Sequence, residues 1–322
     1  PGGGVVMSIK SPFSLTGFGF VLLLTFLCVT PPDGYASRGN TARSANDRSV
    51  TILVTAHPHN KKDKDAAANL KTDDFAVKEN GRQQQVLSAK PASEAPLIVE
   101  ILIQDNLSSR MDNEIDGIKQ FIRDLPEGSR VLTGYITTGT LDVRQDFTTE
   151  RDQATRSLRV LNRRAPYNPY VEGLEGLKKF DSQPDGRRII VLISDGLDTS
   201  HGFEDANPDE STDLSRAIKE AQNRGVAVFS VFAPSAHPIG RLEIDFGQGS
   251  LIKLSDDTGG EAFVGPVDLV SLSPYLSELK ASMANQWLLT YQSTSSGKGF
   301  RRIEVSTETG VHLHHEAGYW AK

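Results

Sequence analysis

The chain has 322 residues, 38% hydrophobic, 24% charged and 7% aromatic: enough apolar side chain for one or two globular cores and too much for a disordered polymer. Lys and Arg number 35 against 41 Asp and Glu, a formal charge of −6 that offers no basic surface for tracking a phosphate backbone and excludes a nucleic-acid partner. The only cysteine, Cys28, excludes a disulfide scaffold.

Met7 is the first plausible initiator. Lys10 follows, then an apolar run over 18–29, Pro31-Pro32, and Gly34-Tyr35-Ala36 with small residues at the positions a signal peptidase reads. This layout predicts a secretory signal in residues 1–36 with cleavage after Ala36, or a tether to the membrane through 18–29 if the segment is kept. Cleavage would remove one Lys and one Asp, leaving the charge at −6 and the chain free of cysteine. Thiol chemistry and cysteine-ligated zinc are then excluded. Residues 37–49, small and polar, read as a linker.

A β-type segment over 50–55 comes next, then a charged, hairpin-like stretch over 60–65. Asn80-Gly81 between two short alternating runs predicts a hairpin within 70–90. The composition changes after Pro96. Near-continuous apolar runs over 97–103, 189–193 and 226–232 are expected of parallel strands covered on both faces. Helical patterns fall between them at 112–125, 150–161, 170–180 and 211–224, the last stopped by Gly225. This alternation predicts an α/β fold with a doubly wound, mostly parallel sheet over 96–285. β character returns at 287–291, 300–305 and 311–315. Segments 50–95 and 286–322 are each too short to stand alone, and are expected to pair into one small β domain flanking the α/β one.

Such sheets bind ligands at their carboxyl edge. The first strand delivers Asp105-Asn106-Leu107-Ser108-Ser109 there, and the strand at 189–193 delivers Ser194-Asp195-Gly196. Two carboxylates and a hydroxyl would form an oxygen-rich pocket suited to Mg²⁺, Mn²⁺ or Ca²⁺. The same residues also serve as helix caps and turn formers, and that reading stays open for Asp105, Asp195, Ser108 and Ser109. The acidic loop 198–213 reads as a calcium holder or as a solvated insertion. His57 and His59 alternate on one predicted strand and His312 and His314 on another, with His315 on the opposite face. They would converge on a transition metal only if those strands were neighbours.

With these residues in view, 96–285 resembles a von Willebrand factor type A domain, through the Asp105 loop, Ile193-Ser194-Asp195-Gly196, and Thr258-Gly259-Gly260 followed by Phe263. The flanking Leu70 to Val77 stretch, Glu79-Asn80-Gly81 and Gly318-Tyr319-Trp320-Ala321 resemble the VWFA-related family abundant in Acidobacteria. The resemblance implies a metal-ion-dependent adhesion site in which Asp105, Ser109 and Asp195 hold the cation and a partner's carboxylate completes its shell. Two departures make that site degenerate: Leu107 stands where the family has a Ser, and 162–168 holds no Thr, although Asn168 offers an amide oxygen. Arg163 and Arg164, if they faced the pocket, would repel the ion.

No Gly-x-Ser-x-Gly elbow, Gly-x-Gly-x-x-Gly turn or Gly-Lys-Ser/Thr loop is present, so neither a serine hydrolase nor a nucleotide binder is predicted. The expected role is an exported, non-enzymatic protein-binding module with a protein partner in the envelope or extracellular space. Its contact loops would be 105–112, 162–169 and 196–213. The alternatives are a metal-dependent hydrolase or phosphotransfer enzyme built on Asp105 and Asp195, or a structural envelope protein whose pocket is vestigial.

Overall fold

The computed structural model describes residues 49–58, 64–163, 168–200, 202, 206–237, 240–265 and 271–321. The expected signal segment, almost all of the linker, His59, Arg164, Glu204 and Asp205 lie outside the described residues. No helix among those described is long and apolar enough to cross a membrane.

In chain order the elements are β1 (Ser49–Pro58), α1 (Lys64–Ala68), β2 (Ala76–Glu79), β3 (Arg82–Pro91), β4 (Leu97–Gln104), α2 (Ile115–Arg123), β5 (Arg130–Thr137), β6 (Thr140–Thr148) and α3 (Arg151–Ser157). There follow α4 (Pro169–Lys179), β7 (Arg187–Ser194), α5 (Thr212–Arg224), β8 (Val226–Phe232), α6 (Arg241–Thr258), β9 (Ala262–Phe263) and α7 (Ser273–Ala284). The chain closes with β10 (Gln286–Gln292), β11 (Gly299–Ser306), β12 (Val311–His315) and β13 (Gly318–Ala321).

The α/β layer is a six-stranded sheet in the order β6-β5-β4-β7-β8-β9. Neighbours from β5 to β9 run parallel, whereas β6 is antiparallel to β5. The sheet is mostly parallel as expected but mixed, with one antiparallel strand at its β6 edge. The cause is local: Gly139, at φ +73°, lets β5 reverse directly into β6 where a crossover helix would have kept the direction. Alternate residues of β4 serve opposite faces. Leu97, Val99, Ile101 and Ile103 pack with α2 and α7, while Ile98 and Leu102 pack with α4, α5 and α6.

The second sheet is antiparallel and seven-stranded, in the order β12-β1-β10-β3-β2-β11-β13. Its strands come from both ends of the described chain: β1 lies between β10 and β12, and β2 lies between β3 and β11. Asn80 (φ +50°) and Gly81 (φ +76°) form the two-residue turn joining β2 to β3. This sheet has its own core around Ile52, Val54, Phe75, Val77, Trp287 and Tyr291. Both sheets belong to one compact unit.

The helical patterns place α2, α4 and α5 within a few residues of their observed bounds. The pattern at 150–161 runs too long, because α3 stops at Ser157 and 158–163 is irregular. Buried Leu158 and Leu161 dock in the core there and continue the helical spacing without the helix.

Candidate functional site

Asp105 and Asp195 each follow one of two neighbouring parallel strands, β4 and β7. Gln104 ties the strand ends together: its amide oxygen accepts from Ser194 Oγ at 2.5 Å and from the Asp195 N–H at 3.3 Å, and its Nε2 donates to Asn106 Oδ1 at 2.6 Å. The chain after Asp105 is fixed by backbone bonds to the loop after β8, Ser108 N–H to the Pro234 carbonyl and Ala236 N–H to the Asn106 carbonyl.

The Asp105 carboxylate is wholly buried. Oδ1 accepts from Arg159 Nη1 at 2.8 Å and from the Asn162 N–H at 2.9 Å, and Oδ2 accepts from Arg159 Nη2 at 3.4 Å. Burial lowers the Arg159 pKa, and its hydrogen bonds and charge pairing with Asp105 outweigh that and hold it above its usual value. Leu107 is fully buried, so the position that carries a hydroxyl in the resembled motif here contributes only carbon. Ser109 opens a 3₁₀ turn (Ser109–Glu114) and is exposed. Asp195 is buried, and its Oδ1 accepts from the Leu197 N–H at 3.0 Å, shaping the turn in which Gly196 takes φ +73°. Burial pushes its carboxyl up to about 6, against the hydrogen bonds from Leu197 and Gln104 that pull it down.

The remaining sequence candidates make the following contacts. Asn168 caps α4, its Oδ1 accepting from the N–H groups of Tyr170 and Val171. Its Nδ2 donates to Asp198, Ser200 and Asp213. Asp198 Oδ1 accepts from Ser200, and its Oδ2 from Asn168 and Ser211. Arg163 takes φ +58° and pairs with Asp112 at 2.5 Å. Thr258 and the glycines after it close α6 onto β8: Thr258 Oγ1 accepts from the Val228 N–H, and a Cβ on Gly260 would lie 1.9 Å from the Val228 carbonyl oxygen.

The histidine strands are neighbours, since β1 pairs with β12 and His57 stands opposite His312. The rings of His57 and His314 lie 6.5 Å apart. His57 Nε2 is 3.7 Å from Glu261, and His314 Nε2 is 3.9 Å from Asp256. Among the described residues no group of three or more His, Cys, Asp or Glu is arranged to hold a metal ion, here or at the carboxyl edge. The donor set at Asp105 does not fit a divalent cation as it stands, because its carboxylate is already filled by a guanidinium and a backbone N–H. Reading the residues singles out Asp105 and Asp195 but not Arg159, Tyr135, Asp112 or Asp142. An ion pair across 54 positions leaves no mark in local spacing.

No protein-family model matches the chain, and neither does any curated protein. The solved structures similar to it include von Willebrand factor type A domains, all at low sequence identity. A type A protein from Catenulispora acidiphila is 13% identical, with 83% of this chain and 74% of that one covered, at a TM-score of 0.47. The protein BatB from Bacteroides thetaiotaomicron is 16% identical over 58% of this chain and 98% of its own, at 0.43. The vWF domain of the type V pili tip protein Mfa5 from Porphyromonas gingivalis is 12% identical over 59% and 96%, at 0.44.

Proposed function

We propose that the chain is an exported, non-enzymatic protein-binding module whose partner face is the carboxyl edge of the α/β sheet, around the degenerate adhesion site of Asp105, Ser109 and Asp195. One observation carries this reading. Among the described residues six large apolar side chains are left exposed; three of them, Val160 (59%), Val171 (42%) and Leu242 (53%), belong to segments at this edge, while Leu87 and Phe300 are in the second sheet and Ile252 is midway along α6. Val160 lies between the two residues that bond Asp105, while Val171 and Leu242 sit in the first turns of α4 and α6, helices that begin at this edge. Exposed apolar side chains beside polar loops suit a protein contact, since burying them on association is favourable.

The test is capture from envelope and culture-medium fractions with the full chain, beside a Val160→Asp, Leu242→Asp variant checked for an unchanged melting profile. A specific partner held by the native chain and released by the variant is expected. No specific partner, or equal capture by the variant, would overturn the reading. Export is tested separately by the N-terminus of the protein recovered from cells, expected to follow Ala36.

A further inference from the structure

We propose that Arg159 occupies the place of the divalent cation at the carboxyl edge, so that the Asp105 pocket is charge-balanced by a side chain of its own and takes no metal. The inference concerns the pocket alone and would stand if no partner bound the face.

A fully buried carboxylate needs a counter-charge, because an unpaired ion away from water is expensive. In a metal-dependent adhesion site the cation supplies it. Here the guanidinium does, through two parallel N–H donors on the two oxygens of Asp105 at 2.8 and 3.4 Å, the bidentate arrangement in which arginine pairs best with a carboxylate. The guanidinium is braced on several sides. Its Cζ lies 4.0 Å above the centre of the Tyr135 ring, Nη1 donates also to the Val160 carbonyl at 2.9 Å, and Nη2 stands 3.6 Å from Asp142. Tyr135 holds the backbone of the same residue as well: its hydroxyl donates to the Arg159 carbonyl at 2.7 Å and accepts from the Arg159 N–H at 2.8 Å. Ring, backbone and carboxylate thus fix one residue in one place.

A divalent ion would find little left to bind. Hard cations need six or more oxygens from protein or water. Asp105 Oδ1 already accepts two hydrogen bonds, and Leu107 offers no oxygen from its side chain. An ion reaching Asp105 would also meet the guanidinium's positive charge and would have to drive Arg159 off Tyr135 and Val160. Leu107 in place of a hydroxyl and Arg159 against Asp105 point the same way: the pocket supplies its counter-charge from within and offers few oxygens to a cation.

The experiment is calorimetric titration of the full chain with Mg²⁺, Mn²⁺ and Ca²⁺ in turn, with thermal melts in chelator and in each metal. For the native chain we expect no saturable heat and the same Tm throughout. Arg159→Ala is expected to lower Tm, and a second change, Asp105→Asn, to restore much of the loss by removing the stranded charge. Saturable binding by the native chain that disappears in an Asp105→Ala, Asp195→Ala variant would overturn the proposal, as would an Arg159→Ala chain with an undiminished Tm in chelator. Should Arg159→Ala not fold, Arg159→Lys, which keeps the charge but not the fork, is expected to fold with a lower Tm and no response to metal. The native titration decides the point in either case.

Discussion

The carboxylate of Glu79, at the end of β2, accepts a hydrogen bond at 3.0 Å from the hydroxyl of Tyr319 in β13, 240 positions later. The same oxygen accepts from Tyr291 at 2.8 Å, while the other accepts from Ser293 at 2.8 Å and faces Arg301 at 3.6 Å. Arg301 in turn donates to Ser293, to Tyr319 and to the Gly297 carbonyl. Four separate segments of the chain thus meet on one fully buried carboxylate, which explains why Glu79-Asn80-Gly81 and Gly318-Tyr319-Trp320-Ala321 stand out together.

Tyr319→Phe removes one donor from that charge and is expected to cost about 1.5–3 kcal/mol in chemical denaturation. Glu79→Ala leaves Arg301 without its buried partner and is expected to cost about 3–5 kcal/mol. The two should be strongly non-additive in a double-mutant cycle, because both act on the same network. Burial raises the Glu79 pKa, but hydrogen bonds from Ser295, Tyr291, Ser293 and Tyr319 outweigh it and hold the carboxyl below its ordinary 4.5. Its contribution is therefore present above pH 4.5 and lost as pH falls below that value.

Two glycines position the Asp195 turn. A Cβ on Gly247 would lie 2.1 Å from the Asp195 carbonyl oxygen, and one on Gly196 would lie 2.2 Å from the Gly247 carbonyl oxygen. The backbones of α6 and of the β7 edge touch, and Gly196 also needs its positive φ. Gly247→Ala must therefore push α6 off this turn. A loss of about 1–3 kcal/mol is expected, with a shift of the Asp195 carboxyl resonance in NMR. A Gly249→Ala control, whose Cβ would meet only the Pro208 side chain at 3.3 Å, should cost less.

These contacts mark where the sequence is legible. β4, β7 and β8 are buried on both faces, so their runs are largely apolar and identify themselves. The hairpin β5–β6 escapes notice because β6 is a largely polar edge strand with only Leu141 buried, and α6 escapes because Gly247 and Gly249 interrupt its pattern, Gly247 where its backbone meets Asp195. At the site, Asp105 and Asp195 are legible from their places at strand ends. Arg159 is not, because its role depends on α3 stopping at Ser157 and on Tyr135 standing opposite, both settled by tertiary packing.

Glu100 is the one charged residue of β4, between Ile98 and Leu102 beneath α4. Both its carboxyl oxygens are buried without a hydrogen-bond partner among the described residues, and a Cβ on Gly176 would lie 2.5 Å from Oε2. Burial above all, with the Asp146 charge adding and Lys179 subtracting, pushes its pKa well above the ordinary value. The sign follows: a raised carboxyl favours the native state below its unfolded pKa, and that advantage is lost as pH rises toward the native one. Glu100→Met keeps the volume and removes the stranded group. It is expected to raise stability at neutral pH by about 1–3 kcal/mol, with a smaller gain below pH 4.5, both read from denaturation midpoints.

His315 supplies the opposite arm. Its Nε2 accepts from the Val305 N–H at 3.1 Å and its Nδ1 meets the Glu316 carbonyl at 2.8 Å, a pair of contacts that requires the neutral ring with its proton on Nδ1. Burial chiefly, helped by the charges of His314 and His312 and opposed by the Glu316 hydrogen bond and Glu304, holds its pKa below 6.5. The unfolded chain then takes up a proton near pH 6.5 that the native ring refuses, so stability is lost as pH falls through that value. Asp195, raised to about 6, works the other way, and its contribution grows as pH falls toward 4. The bulk acid profile mixes the two, and a difference experiment separates them. His315→Leu leaves the Val305 N–H without its acceptor and should cost about 1–2 kcal/mol at pH 7.5. The gap to the native protein should narrow between pH 6.5 and 5, as the native ring gives up its advantage. A gap that stayed constant over that range would mean that His315 titrates alike in both states, and ¹⁵N shifts of its ring would then show a pKa near 6.5 rather than below it.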